Sequence, residues 1–304
     1  RYSDINEQLV NKRIRSDEIA NGIVRFVIGL SKKVLIANQL GELCQIFRDS
    51  EEKTILFYWL YAVSVALHVY FDFSGYSDMA IGLGKLLGFS FPENFRYPFM
   101  SKSATEFWRR WHMSLGNWFR DYVYIPLGGN RKGLAKQIFN SFLVWILTGL
   151  WHGAQWNFVI WGLFFAILLM MEKMWLYERL QASVIWSRVY MFFVVTISFV
   201  IFNATDMGQL VMDVKNLFFP GNVSQMGAVG NECLYYLRSY GVILLVAILG
   251  ATDLPAKCYL RLRKQAGVKN LLVVLEPMLI LGMLLVSTAY LVDGSFNPFL
   301  YFRF

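Results

Sequence analysis

The chain alternates long apolar runs with short stretches rich in Lys, Arg and aromatic residues. Residues 54–71, TILFYWLYAVSVALHVYF, contain no Lys, Arg, Asp or Glu and make a credible membrane span. Residues 137–151 and 156–171, QIFNSFLVWILTGLW and WNFVIWGLFFAILLMM, read as a hairpin joined by HGAQ. Further spans fit 185–203, about 237–252 and 271–292, with Glu276 and Pro277 interrupting the last. Residues 22–47 are apolar but carry Arg25, Lys32 and Lys33, which suits a tilted or partly embedded helix. Residues 72–95, DFSGYSDMAIGLGKLLGFSFPENF, are Gly-rich and approach Pro92. Such a segment is too interrupted for a simple span and suits a re-entrant or protein-buried element. Residues 1–18 are polar, read as water-facing, and show no signal-peptide pattern.

Composition fixes the class. Of 304 residues, 56% are hydrophobic and 17% aromatic, with a mean hydropathy of +0.42. Only 16% are charged, against roughly 25% in soluble domains, too few to cover a water-facing surface. The expectation is an all-α polytopic membrane protein, residues 1–304 forming a single membrane domain. The net charge of +8 then reads as loop bias. Segment 93–136 carries Arg96, Lys102, Arg109, Arg110, Arg120, Arg131, Lys132 and Lys136. Segments 172–188 and 253–270 are also basic, whereas 204–235 holds only Lys215. The positive-inside rule puts the basic segments in the cytoplasm, with 204–235 and the 152–155 turn outside. No basic cluster sits on a reading helix, so no nucleic-acid partner is expected. Cys44, Cys233 and Cys258 are scattered and the three histidines do not cluster, so neither a disulfide frame nor a metal site is expected. Walker, Rossmann, HExxH and nucleophile-elbow patterns are absent.

Candidate chemistry concentrates in WRRWHMSLGNWFR, residues 108–120. On a helix over 104–122, Trp108, Trp111, Leu115, Trp118 and Tyr122 form one stripe, with Arg109 and Arg120 opposite. That pattern predicts an interfacial helix whose Trp rings lie at headgroup depth. His112 falls on its flank and reads either as an interfacial hydrogen-bonding anchor or as chemistry. His152 closes an apolar helix in LTGLWHGAQWN, one turn after Thr148. An ionisable group at membrane depth is a functional candidate, and an imidazole can take and return a proton near neutrality; a satisfied helix-end histidine is the alternative. His68 reads as a packing residue. Asp72 and Asp78 read as helix caps or partners for a histidine, and Glu106 as a first-turn acid.

Taken together, HVYFDFSGYSDMAIGLGKLLGF, FPENFRYPF, TEFWRRWHMSLGNWFRDYVYIPLGGNR, LTGLWHGAQWNFVIWGL and the final NPFLYFRF resemble the membrane-bound O-acyltransferases, in their alginate O-acetyltransferase branch. The resemblance covers essentially the whole chain. It implies a helical bundle with interfacial and re-entrant helices around a central tunnel. It also implies catalytic roles for His152, in the WHG motif, and for His112, in the RRWH motif. The implied donor is acetyl-CoA, bound as a substrate and not as a resident cofactor. The implied recipient is an exported polysaccharide or a partner acetyltransferase, and the implied location is the bacterial cytoplasmic membrane. In the family RYSDI follows further N-terminal membrane helices, so the chain is expected to lack them. Related D-alanyl transfer proteins share FDF, WHMSL and WHG, while YIPLGGNR at 124–131 favours acetyl transfer. A general base at His152 would serve a thioester attacked by a hydroxyl; a transient acyl-histidine is the other route. D-alanyl transfer and a non-enzymatic transporter or scaffold are the rival readings.

Overall fold

The computed structural model describes residues 2–10, 15–219 and 229–294. The C-terminal NPFLYFRF lies outside them. Helices occur in the order α1 Tyr2–Val10, α2 Ser16–Ser31, α3 Asn38–Asp49, α4 Ile55–Leu86, α5 Ala104–Trp108, α6 Met113–Phe119, α7 Leu134–His152 and α8 Trp156–Met171. They continue with α9 Tyr177–Ala182, α10 Val184–Asn203, α11 Met207–Phe218, α12 Asn231–Ser239, α13 Gly241–Gly250, α14 Leu254–Arg263 and α15 Ala266–Asp293. No strand occurs among the described residues. Four helical stretches are long and apolar enough to cross a membrane: α4, Trp156–Ala182, α10 and Gly267–Asp293. The pair α12 and α13, bent by 59°, makes up to a fifth. The protein is an all-α, multi-pass membrane protein.

Two compact units divide the chain. One comprises Arg1–Glu42, Leu67–Asn94 and Leu245–Arg303. In it, the Gly-rich segment does not re-enter: α4 runs unbroken through Gly75 and Gly82 to Leu86. The reason is packing. A Cβ on Gly75 would lie 2.8 Å from the Gly29 carbonyl oxygen, and one on Gly82 would lie 2.7 Å from that of Gly22. The glycines let the backbones of α2 and α4 touch, as small residues do between membrane helices. Nor do the aspartates cap a broken helix. Lys33 pairs with buried Asp72, while Asp78 receives Lys32 at 2.6 Å and Arg25 at 2.8 Å. Lys32–Ala37 forms a π-helical turn joining α2 to α3, so residues 16–49 are continuously helical. Pro277 lies inside α15 without ending it, and Glu276 accepts from the Tyr259 hydroxyl at 2.7 Å.

The second unit comprises Leu43–Ala66 and Phe95–Leu244. Its centre is the expected hairpin, α7 against α8. A Cβ on Gly149 would strike the Phe158 carbonyl and one on Gly162 that of Trp145, so these two glycines set the helix separation. Helix α10 packs on α8, and the Asn157 amide donates to the Phe202 and Ala204 carbonyls at 3.1 and 3.0 Å. This closes the His152 end of the hairpin over α10. The α3 end of the unit is fixed by Arg48, which grips buried Asp213 bidentately at 3.0 and 2.7 Å. A single helix over 104–122 does not form: α5 stops at Trp108, a turn follows, and α6 starts at Met113. The expected stripe is thereby split. Trp111 is buried, whereas Trp118 and Tyr122 are exposed.

Candidate active site

The site is assembled from α5, the turn after it, and the α7–α8 hairpin. Ser103 starts α5, its hydroxyl accepting from the Glu106 amide at 3.0 Å. The turn then places His112 at the N-cap of α6 with φ 44° and ψ 51°. Tyr97 and His112 are the non-glycine residues with positive φ among those described. A left-handed residue of this kind costs roughly 1–3 kcal/mol, and such strain clusters at functional sites. The turn rotates the imidazole inward: His112 is 8% exposed, whereas Arg109 and Arg120 are exposed. Its Nδ1 lies 3.3 Å from the Ser114 hydroxyl, and its ring centroid 5.9 Å from that of Trp151.

His152 ends α7, half-buried in an aromatic box. Trp151, Phe202, Trp161 and Phe158 surround its ring at centroid distances of 4.8, 5.0, 5.2 and 6.3 Å. Trp151 touches both imidazoles, so the two motif histidines, distant in sequence, share one neighbourhood. Burial first, then the neighbouring charge on His152, lowers the His112 imidazole from its ordinary 6.5 to about 3. His112 is therefore neutral at physiological pH and able to accept as well as donate. A cavity of about 520 Å³ adjoins the box. Trp108, Trp145 and Thr148 line it with Met113 and Asn117, and Arg109 and Arg120 also border it. Neither imidazole is part of its wall, but Trp108 sits against Trp161 at 5.5 Å, and Trp161 against His152.

His68 belongs to the first unit, packed against Gly41, and Asp72 and Asp78 are absorbed in ion pairs there. Sequence reading missed Phe158, Trp161 and Phe202 as box walls and Trp145 as cavity lining, because single aromatics in apolar spans carry no local signal. It also missed Glu172, a carboxylate at the end of α8 that is 1% exposed.

The all-helical fold agrees with what comparison finds. The sequence profile of the membrane-bound O-acyltransferase family matches residues 1–208. The chain is 36% identical over 317 residues to the probable alginate O-acetylase AlgI of Pseudomonas putida, covering 100% of this chain and 65% of that protein. It is 40% identical over 173 residues to a peptidoglycan O-acetyltransferase of Helicobacter pylori, covering 57% of this chain and 32% of that protein. It is 32% identical over 178 residues to the teichoic acid D-alanyltransferase of Bacillus subtilis, covering 56% and 45%. The chain belongs to the membrane-bound O-acyltransferase family. It spans about two thirds or less of the length of the curated relatives it matches.

Proposed function

We propose that the protein moves an acyl group, acetyl above all, from a cytoplasmic thioester to a hydroxyl acceptor beyond the membrane. The observation that carries this reading is that His112 and His152 share Trp151 as a neighbour, with the aromatic box of His152 beside the cavity. The acceptor is an exported polysaccharide or a partner acetyltransferase that hands the group on. Support comes from the O-acetyl-transfer names of the relatives. Acetyl-CoA is the donor: its phosphates suit the guanidinium groups of Arg109 and Arg120 at the edge of the cavity, and its acyl arm suits Trp108 and Trp145 within.

The chemistry needs no more than these groups. His152 takes the proton from the acceptor hydroxyl as its oxygen attacks the thioester carbonyl carbon. The new C–O bond forms, the C–S bond breaks, and the proton returns from His152 to the leaving thiolate. Neutral, buried His112, which also neighbours Trp151, donates to or accepts from the reacting groups. Exclusion of water by the aromatic box strengthens each polar contact and protects the thioester from hydrolysis.

The test uses full-length protein in sealed membrane vesicles given acetyl-CoA labelled in its acetyl group. Label should reach an extracytoplasmic acceptor, and His152→Ala should abolish this while leaving the protein folded and inserted. Normal transfer by a well-accumulated His152→Ala protein would remove His152 from the mechanism. Transfer from a D-alanyl thioester alone would redirect the reading to the D-alanyl branch.

A further inference from the structure

The buried carboxylate of Glu172 has no part in the chemistry above. It opens the π-helical turn Glu172–Leu176 at the end of α8. Its Oε1 accepts from the Ala104 amide at 2.5 Å and from the Tyr190 hydroxyl at 2.9 Å. Its Oε2 accepts from the Thr105 amide at 2.8 Å and the Thr105 hydroxyl at 2.6 Å. All four donors are neutral, and among the described residues they are the hydrogen-bond partners of a side chain that is 1% exposed. Burying such a group is costly unless it is hydrogen-bonded, and this cradle sets two acceptor oxygens against two fixed backbone donors. Two backbone N–H groups point at separate oxygens. A glutamine offers one oxygen and one NH₂, so one backbone donor would face another donor. The hydroxyls can reverse their roles; the amides cannot.

What the cradle holds is the first turn of α5. Four residues beyond Ala104 stands Trp108 in the cavity wall, and four beyond that the left-handed His112. Helix α5 is a short rigid lever, its far end tied by the Trp111 amide to the Phe107 carbonyl at 2.8 Å. The preceding loop is fastened from the same side, Arg188 donating to the Met100 carbonyl. A strained residue persists only where its surroundings over-determine it.

We infer that Glu172, assisted by Tyr190, is a positioning residue for acyl transfer: it anchors α5 to the hairpin and so sets the places of Trp108 and His112. The inference rests on the acyl-transfer reading given above. The test compares wild type with Glu172→Gln in the full-length membrane protein, measuring turnover per folded molecule and the KM for the thioester donor. Because misplacement by an ångström costs up to about a hundredfold in rate, Glu172→Gln should lose at least about tenfold in kcat with KM little changed. Tyr190→Phe, which removes one hydroxyl and keeps the ring, should lose about two- to threefold at full protein level. A kcat for Glu172→Gln within twofold of wild type overturns the inference, as does a loss explained wholly by a smaller folded fraction or by a higher KM. Should Glu172→Gln fail to accumulate, an unchanged kcat in Tyr190→Phe overturns it. A wild type that moves no acyl group sinks the underlying reading instead, a result distinct from an active wild type with an equally active variant.

Discussion

His112 adopts a backbone conformation that few residues with a Cβ tolerate, and gains by it a buried, neutral imidazole beside Trp151. That state has a consequence for stability. With its folded value lowered to about 3 against about 6.5 unfolded, the unfolded chain binds the extra proton between those limits. Stability from this residue is therefore fully present above about pH 6.5 and is lost as the pH falls toward 3. His112→Gln removes the titration, so its unfolding midpoint in detergent should fall less between pH 7 and pH 5 than that of wild type. Parallel slopes would show that the imidazole is not buried as described. The same variant keeps a hydrogen-bonding group but no proton transfer, so turnover at pH 7 should drop if His112 is chemical and survive if it only anchors. The identity of His112 and of His152 as candidates was legible in their motifs. The left-handed turn was not: a stripe at three- and four-residue steps is equally consistent with two short helices, and nothing in a spacing count marks where a tertiary contact breaks the run.

At the scale of elements, glycine carried two opposite meanings and only packing separates them. The segment 72–95 reads as interrupted because glycine weakens isolated helices. In the fold, Gly22 and Gly29 on α2 face Gly82 and Gly75 on α4, each pair bringing backbone to backbone. The seven-residue spacing on both strings was visible in the sequence; the partner helix that gives it meaning was not. Gly29→Ala would place a Cβ 2.6 Å from the Gly75 carbonyl oxygen and 2.7 Å from the Met79 amide nitrogen. It should destabilise the protein by about 1–3 kcal/mol, the usual cost of overpacking. Gly282→Ala in α15 meets nothing within 4 Å and should be neutral or slightly stabilising. Thermal unfolding of both in detergent checks the contrast; equal effects would mean that the α2–α4 contact is not set by glycine. The hairpin α7–α8, by comparison, was legible nearly residue for residue. Two apolar runs separated by a four-residue polar turn leave little choice of fold.

Over the whole molecule, class and family were readable from apolar run length, low charge and ordered motifs, while sidedness rests on the basic residues alone. Segment 93–136 gathers eight Lys and Arg residues and 204–235 only Lys215, which predicts the first inside and the second outside. The two assignments govern the proposed mechanism, since the cavity draws Arg109 and Arg120 from the basic segment and must then open to a cytoplasmic donor. Thiol labelling decides it. Cys44 and Cys233 are buried, but Cys258 is exposed and would report on its own segment, so Cys258→Ser is the background. Asn130 and Met207 are both exposed, and neither caps a helix. In intact cells a membrane-impermeant maleimide should modify Met207→Cys and leave Asn130→Cys untouched until the membrane is opened. The reverse pattern would invert the protein in the membrane, put the arginine-edged cavity on the acceptor side, and remove the route by which a cytoplasmic thioester reaches His152.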